Sequence, residues 1–545
     1  MKKFLSVFLA AMVLFTFLCA LCSCTEQEES DSLVVYNWAD YIYPEYEEEF
    51  TEYYKSITGK NIEITYVTFD TPETMITKLQ KGDAKIDVMC PSEYAIQKLM
   101  QEDYLVPLNY FTDDPDSYVD SSVYGGYTHN SDKIDQNIVN KIKNGFTGLT
   151  CTRQDGSQYT ADMIDYLVPY MYGTLGILYN RAEFERLGIT AEKMNKANWG
   201  ILFNDSGERD EAGNVIPLSD ELTGSILMKD SIRDSYAATV FYLVESGKME
   251  GKRTSDGRLY TELSAAELIN CVDDNTIEAC KEALTEQKSQ LFGYEVDFGK
   301  DDLLKGNAMV DLAWSGDAMY AVEESWNDSL NDGEGGYELG YYVPHTYGNI
   351  WFDGWIVPTS YNPQHSLAIK LFINFLNSPR VSAANMYEIG YSSALDPTAV
   401  ENDLVARATL TQLYFVNAPQ YYRFSDEELE ENDGEYAYDC WEDFADEFFR
   451  YVDSADNSNW RYPFISAQAN AANARNIDTL GMMQDFGAQN KAVVTMWNYA
   501  RSAGVSALPA FGWFLLFLAL AVGVVLAIVA IKRHNEKTVV LSHKE

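Results

Sequence analysis

Histidine is scarce in this chain, with five in 545 residues. His534 and His543 lie close to the end, and His129, His345 and His365 sit in loop-like sequence where solvated side chains are expected. No HExxH pair is present, so a zinc-helix hydrolase has no ligands, and no GxSxG supplies a nucleophile elbow. There is no CxxC and no Cys/His spacing suited to a metal. Basic residues are also few: 40 Lys and Arg stand against 83 Asp and Glu, a formal charge of -43. A surface of that sign repels nucleic acid and attracts cations. Gly293 to Lys300 loosely resembles a phosphate loop, but it is one residue too long and Asp301 stands where Ser or Thr should follow the lysine. Asp328 to Gly336 is acidic and Gly-rich without the alternation of an EF-hand. Nothing calls for a catalytic residue, metal or cofactor. A secreted hydrolase using a carboxylate pair is the remote enzyme alternative that so many acids leave open.

What is present points to a large exported body. A hydrophobic content of 46% is ample for real cores, and the length allows two or three domains. Lys2 and Lys3 precede an apolar run from Phe4 to Leu18, which ends in Leu21-Cys22-Ser23-Cys24. This looks like a lipobox, giving a lipoprotein signal over 1–24, Cys24 as the lipid-bearing residue, and an acidic tether over 25–32. Near the other end, Ala510 to Ile531 is 22 residues without a charge. That is long enough to cross a bilayer. Phe511 and Trp513 open it and Lys532-Arg533-His534 close it, so residues 532–545 are expected in the cytoplasm and the body on the outer face of the bacterial cytoplasmic membrane. The remaining cysteines, Cys90, Cys151, Cys271, Cys280 and Cys440, are odd in number and irregularly spaced, and imply no disulfide framework. Cys271 and Cys280 could pair, although both fall in helix-like sequence, and their pairing stays open.

The body alternates strands and helices. Val34-Val35-Tyr36 reads as a strand that turns at Asn37 and carries Trp38, Asp40 and Tyr41 at its tip. An indole, a carboxylate and a phenol within four residues suit an organic cation, although strand-end packing explains the same residues. Helix 45–54, strand 62–67, a helix from Thr71-Pro72 to Gly82, strand 86–90 and helix 92–102 follow, and the rhythm argues for a mostly parallel sheet covered by helices. Residues 113–160 read as a long irregular insertion. Two strands are expected at 166–170 and 176–179, then further α/β sequence with strands at 225–228, 308–314 and 354–358. Residues 414–504 read as helical, acidic and aromatic-rich.

Eight motifs then fall in one order over Leu33 to Leu395. They are Tyr36-Asn37-Trp38-Ala39-Asp40-Tyr41; Glu73-Thr74-Met75-Ile76-Thr77-Lys78-Leu79; Asp87-Val88-Met89-Cys90-Pro91-Ser92-Glu93-Tyr94; Val168-Pro169-Tyr170 with Gly173 and Gly176; Asp230-Ser231-Ile232-Arg233-Asp234; Trp314-Ser315-Gly316-Asp317; Trp351-Phe352-Asp353; and Ile389-Gly390-Tyr391. In this set the chain resembles the extracytoplasmic spermidine/putrescine-binding proteins of ABC importers. The resemblance implies an α/β, two-lobed periplasmic-binding-protein clamshell of type II that closes on its ligand by a hinge. Lobe one would comprise 33–166 and 351–394, and lobe two 167–350 and 395–505.

By the same resemblance, Trp38, Tyr94, Trp314, Trp351 and Tyr391 would form an aromatic box. Asp40, Asp234 and Asp353 would take ammonium groups, with Tyr41 beside them and Ser92 adding a hydroxyl. The physics agrees: indole faces cover methylenes and attract the charge, and each buried ammonium needs a carboxylate. Two departures bear on preference. Ser231 stands where spermidine-type members carry a second acid, and Asp317 follows Trp314 as in putrescine-preferring relatives. Both tilt the expectation towards putrescine. The implied function is a non-enzymatic polyamine receptor that presents its ligand to ABC permease subunits. The alternative is a receptor or sensor for another organic cation on the same scaffold.

Overall fold

Thr71 opens a helix as its sequence suggests. Its Oγ1 accepts the backbone N–H of Thr74, Pro72 fills the first turn, and Gly82 ends the helix Pro72–Lys81 at φ 69°. The computed structural model describes residues 30–69, 71–82, 85–296, 298–331, 339–396 and 479–502. The signal 1–24 with Cys24, residues 25–29 of the tether, Cys440, the 510–531 span and the 532–545 tail lie outside the described residues. Among the described residues, no helix is long and apolar enough to cross a membrane.

The strands are β1 (Ser30–Trp38), β2 (Asn61–Phe69), β3 (Val88–Met89), β4 (Leu149–Thr152), β5 (Gln158–Ala161), β6 (Leu167–Asn180), β7 (Asp205–Arg209), β8 (Val215–Pro217), β9 (Ile226–Lys229), β10 (Leu291–Glu295), β11 (Val310–Trp314), β12 (Leu339–Tyr342), β13 (Asn349–Ile356) and β14 (Ser392–Ser393). Ten of them form one sheet in the order β10-β9-β11-β6-β13-β3-β1-β2, with β12 and β14 also paired to β6. β4–β5 and β7–β8 are separate ribbons.

The sheet is mixed, which corrects the mostly parallel expectation. β1 runs parallel to β2 and β3, and β9 parallel to β10 and β11. The centre is antiparallel, because β6 and β13 run in opposite directions along each other. β6 is also one strand of 14 residues where two short ones were expected. Its glycines mark close approach rather than breaks: a Cβ on Gly173 would lie 2.4 Å from Ser315 Oγ, and one on Gly176 2.5 Å from the Tyr341 ring. At about 3.3 Å per residue, such a strand is long enough to join both halves of the molecule.

Two hydrophobic cores lie along this sheet. The first gathers Leu33, Val35, Ile96, Leu99, Trp355 and Phe372, and the second Ile226, Met228, Phe241, Leu284 and Leu312. The 113–160 stretch is more regular than expected. Asp135 caps the helix Gln136–Gly145, which buries Ile138, Val139 and Ile142 at helical spacing, and β4–β5 follows it. Two of the histidines also differ from expectation, while His345 is exposed as expected. His129 is half-buried among Tyr110, Tyr118 and Tyr127 and its pKa is pushed down by burial, while His365 Nδ1 lies 2.8 Å from Asp87. Polar partners on distant elements made these positions, and local sequence does not show them. Cys90, Cys151, Cys271 and Cys280 are free thiols.

The 479–502 segment ties the two cores together. Gly481 exchanges backbone hydrogen bonds with Gly348 and Ile350, and Met483 N–H donates to Glu93 Oε1 at 3.1 Å. Asp485 N–H donates to Gln97, and Gln484 N–H to Asn270. The helix Asn490–Ser502 then buries Val493, Met496 and Trp497 in the second core.

Candidate ligand-binding site

The site begins where β1 ends. Asn37 is fully buried and its Nδ2 donates to Tyr41 O at 3.2 Å, which closes the turn. Asp40 sits in that turn at φ 49°, a left-handed conformation that Asp tolerates better than most residues. The turn sends the Tyr41 ring inward and leaves Asp40 exposed at the rim. Trp38 packs on Phe69 with ring centroids 4.6 Å apart, and its backbone oxygen accepts from Tyr66 Oη.

β13 supplies the next pair. Trp351 and Asp353 are two residues apart on one strand, so both side chains leave the same face. Asp353 is 5% exposed. Its backbone pairs with Ser92 in an isolated antiparallel bridge, at the start of the helix Glu93–Gln101. Tyr391 follows the helix Pro379–Ile389, which Gly390 ends at φ 76°. Its ring meets Trp351 edge-on at 5.2 Å and Tyr41 at 5.6 Å. A Cβ on Gly316 would fall 2.4 Å from the same ring, so that glycine is what admits Tyr391.

Tyr41, Ser92, Trp351, Asp353 and Tyr391 thus form one buried cluster. Burial pushes the Asp353 carboxyl up to about 7; hydrogen bonding by Ser92 and Tyr41 pulls it down, and the Asp234 charge pushes it up again. The indole N–H groups of Trp38 and Trp351 are buried without a hydrogen-bond partner, and Asp353 Oδ1 is buried without a close one. Native proteins rarely leave such groups unpaired, and a buried carboxylate oxygen among them marks a place built for something polar.

The facing wall comes from the second core. Asp234 lies in the first turn of the helix Ile232–Glu245, whose N-cap Ser231 Oγ accepts the Asp234 N–H at 3.4 Å. Burial pushes its carboxyl up, while Ser231, Trp314, Lys229 and Arg233 hold it down. Trp314 ends β11 and receives the Lys229 ammonium over its ring at 4.3 Å. Tyr94 is half-buried; burial pushes its phenol up, followed by the charges of Glu73, Asp234 and Glu93. Asp317 stands beside Tyr391, where its charge acts on the phenol, and it already has a basic partner. It is bound to Lys300 at 2.9 Å, and that partner sits on the short helix Gly299–Leu304.

Three contributors were not foreseen. Glu73 faces Asp234 and Tyr94 from the helix Pro72–Lys81; desolvation pushes its carboxyl up, its own backbone N–H pulls it down, and the Asp234 charge pushes it up again. Glu93 is fully buried, and its two oxygens accept the N–H groups of Phe352 and Met483. Burial pushes its carboxyl up to about 8. Lys229 is a single charge closing the apolar run of β9. Each stood inside or beside a quoted motif; the sequence signal was a charge at the edge of an apolar element. No group of metal-ligating side chains occurs among the described residues.

A two-core α/β body with a buried acidic and aromatic site is the architecture of a solute-binding protein. Comparison with known proteins agrees. Residues 39–383 match the model of the bacterial extracellular solute-binding protein family, and the chain belongs to that family. Its relatives include the spermidine/putrescine-binding periplasmic protein of Salmonella typhimurium, 24% identical over 370 residues, covering 68% of this chain and 79% of the relative. The putrescine-binding periplasmic protein SpuD of Pseudomonas aeruginosa is 23% identical over 384 residues, covering 70% of this chain and 82% of the relative. Among solved structures, the Tp0655 (TpPotD) lipoprotein of Treponema pallidum superposes with a TM-score of 0.52 at 14% identity, covering 86% of this chain and 99% of that one. A putative spermidine/putrescine ABC transporter from Listeria monocytogenes gives 0.50 at 21% identity, covering 86% of this chain and 98% of that one. The fold is therefore the two-domain periplasmic-binding-protein fold.

Proposed function

We propose that this chain is an extracytoplasmic polyamine receptor that delivers its ligand to an ABC importer. The observation that carries the reading is Asp353, a carboxylate 5% exposed with one oxygen unpaired, ringed by Tyr41, Trp351 and Tyr391. Such a group awaits a cation: burial without one is costly, and an ammonium with attached methylenes matches both the carboxylate and the aromatic faces. In this reading Asp353 and Asp234 receive the amines. Trp38, Tyr41, Tyr94, Trp314, Trp351 and Tyr391 enclose the carbon chain, Ser92 adds a hydroxyl, and Asp40 and Glu73 draw cations to the mouth. The lobes of the reading are 33–166 with 351–394 and 167–350 with 395–505.

The same proposal holds the body to the membrane through a lipid on Cys24 and a helix over 510–531. Thermal denaturation of the full chain with and without saturating polyamine tests binding, because a ligand held only by the folded state raises the melting temperature. No shift with putrescine or spermidine would remove the polyamine reading. Labelling with an alkyne fatty acid tests the anchor; label retained after Cys24→Ser would remove Cys24 from it.

A further inference from the structure

We propose that Lys229 is a resident ammonium that sets the charge this site accepts, so that the cleft takes a diamine and rejects a triamine. The inference rests on the polyamine reading and adds the residue that selects among polyamines.

Lys229 ends β9 and is 2% exposed. Its Nζ lies 2.5 Å from Glu295 Oε1 and 3.1 Å from the backbone oxygen of Val296. The same ammonium stands 4.3 Å from the centre of the Trp314 ring. One aromatic surface expected to greet a ligand cation is therefore already occupied by a cation of the protein. Lys229 is held in place from behind. Glu295 Oε2 accepts the Gly299 N–H at 2.9 Å, and the Asp311 carboxylate packs so tightly on Gly299 that a Cβ there would lie 2.1 Å from Asp311 Oδ2.

The charges of this wall balance internally. Glu295, Asp311, Asp317 and Asp234 all face Lys229. Glu295 is paired with it directly, Asp317 is bound by Lys300, and burial followed by the Glu295 charge favours the protonated form of Asp311. Two buried carboxylates without a direct ion pair remain for an external ligand, Asp353 and Asp234, the latter also facing Arg233, and they lie near enough for the Asp234 charge to act on Asp353. A dication matches both. A third ammonium carried past Asp234 along Trp314 meets Lys229 and Lys300, and like charges with little water between them repel strongly.

Calorimetric titration of the full chain with putrescine and with spermidine tests this. The wild-type chain is expected to bind putrescine at least about tenfold more tightly. Equal or tighter binding of spermidine overturns the proposal and leaves the polyamine reading intact. No heat with either amine overturns both. Lys229→Gln keeps donors for Glu295 and Val296 without the charge, and Lys229→Met with Glu295→Gln removes ammonium and partner together. In each variant the affinity for spermidine relative to putrescine is expected to rise at least about tenfold. An unchanged ratio in a folded variant overturns the proposal. The wild-type ratio decides if neither variant folds.

Discussion

Ser92 and Asp353 are backbone partners in a one-residue antiparallel bridge. The bridge fixes a strand carboxylate against the start of a helix, with Gly354 N–H donating to Pro91 O beside it at 3.2 Å. The carboxylate is thus held by the main chain, and its side chain is left to meet a ligand. Pre-organisation of this kind keeps affinity from being lost to ordering the site.

Asp353→Asn is expected to weaken putrescine binding by at least about tenfold, because it leaves one ammonium buried without its counter-charge. Titration calorimetry of the full-length variant reads this directly. Affinity within about twofold of wild type would take Asp353 out of the site.

The same residue makes the ligand-free protein sensitive to pH. Its folded pKa of about 7 lies above the usual carboxylate value near 4, so the folded state holds the extra proton between them. Its contribution to stability is present below about pH 4 and lost as the pH rises through 7, on the order of a few kcal/mol. Asp353→Asn is expected to make the fall of the urea-unfolding free energy between pH 5 and pH 8 shallower, leaving the part contributed by Glu93, whose carboxyl is raised to about 8. A slope identical to wild type would contradict the assignment.

Binding should show the opposite sign. The ligand prefers the ionised carboxylate, so affinity is expected to rise about tenfold from pH 6 to pH 8 and then level off. Titrations near pH 7 in two buffers of different ionisation enthalpy should reveal proton release on binding. A flat profile over this window would mean that Asp353 is already ionised in the free protein.

Glu93 is expected to matter for cohesion rather than for contact with ligand. Glu93→Ala strands two buried backbone N–H groups, those of Phe352 and Met483, at a cost of about 2–4 kcal/mol. Chemical denaturation measures the loss, and amide exchange should locate it at Met483 and Phe352. Unchanged exchange at both amides would show that the carboxylate does not hold the 479–486 crossing.

Gly316→Ala tests how tightly the aromatic wall is packed. The new methyl would overlap the Tyr391 ring, and overpacking of this kind costs about 1–3 kcal/mol. Displacing that ring is also expected to weaken putrescine binding severalfold. A variant with wild-type stability and affinity would mean that Tyr391 has room to move.

Much of this was legible before the structure. Trp351, Asp353, Ser92 and Tyr391 came with the motifs around them, although the strand carrying Trp351 and Asp353 was expected only from Gly354 and begins at Asn349. What stayed hidden depended on tertiary neighbours. Gly173 and Gly176 resembled breaks in β6 because the rings of Trp351 and Tyr341 that crowd them are far away in sequence. The Lys300 partner of Asp317 was hidden because the helix Gly299–Leu304, which brings it there, gives no sign of where it docks. A lysine closing a strand ordinarily extends its ammonium into water, and only the carboxylates of β10 and β11 make the burial of Lys229 sustainable. In residues 113–160 the helical spacing of Ile138, Val139 and Ile142 was present, but the surrounding Gly, Ser and Asp masked it.

The most direct measurement is isothermal titration of the full chain with putrescine at neutral pH. The expected result is saturable binding of about one ligand per chain with a Kd of about 10 μM or tighter. Absence of heat with putrescine and spermidine, together with an unmoved melting temperature, would contradict a polyamine site around Asp353.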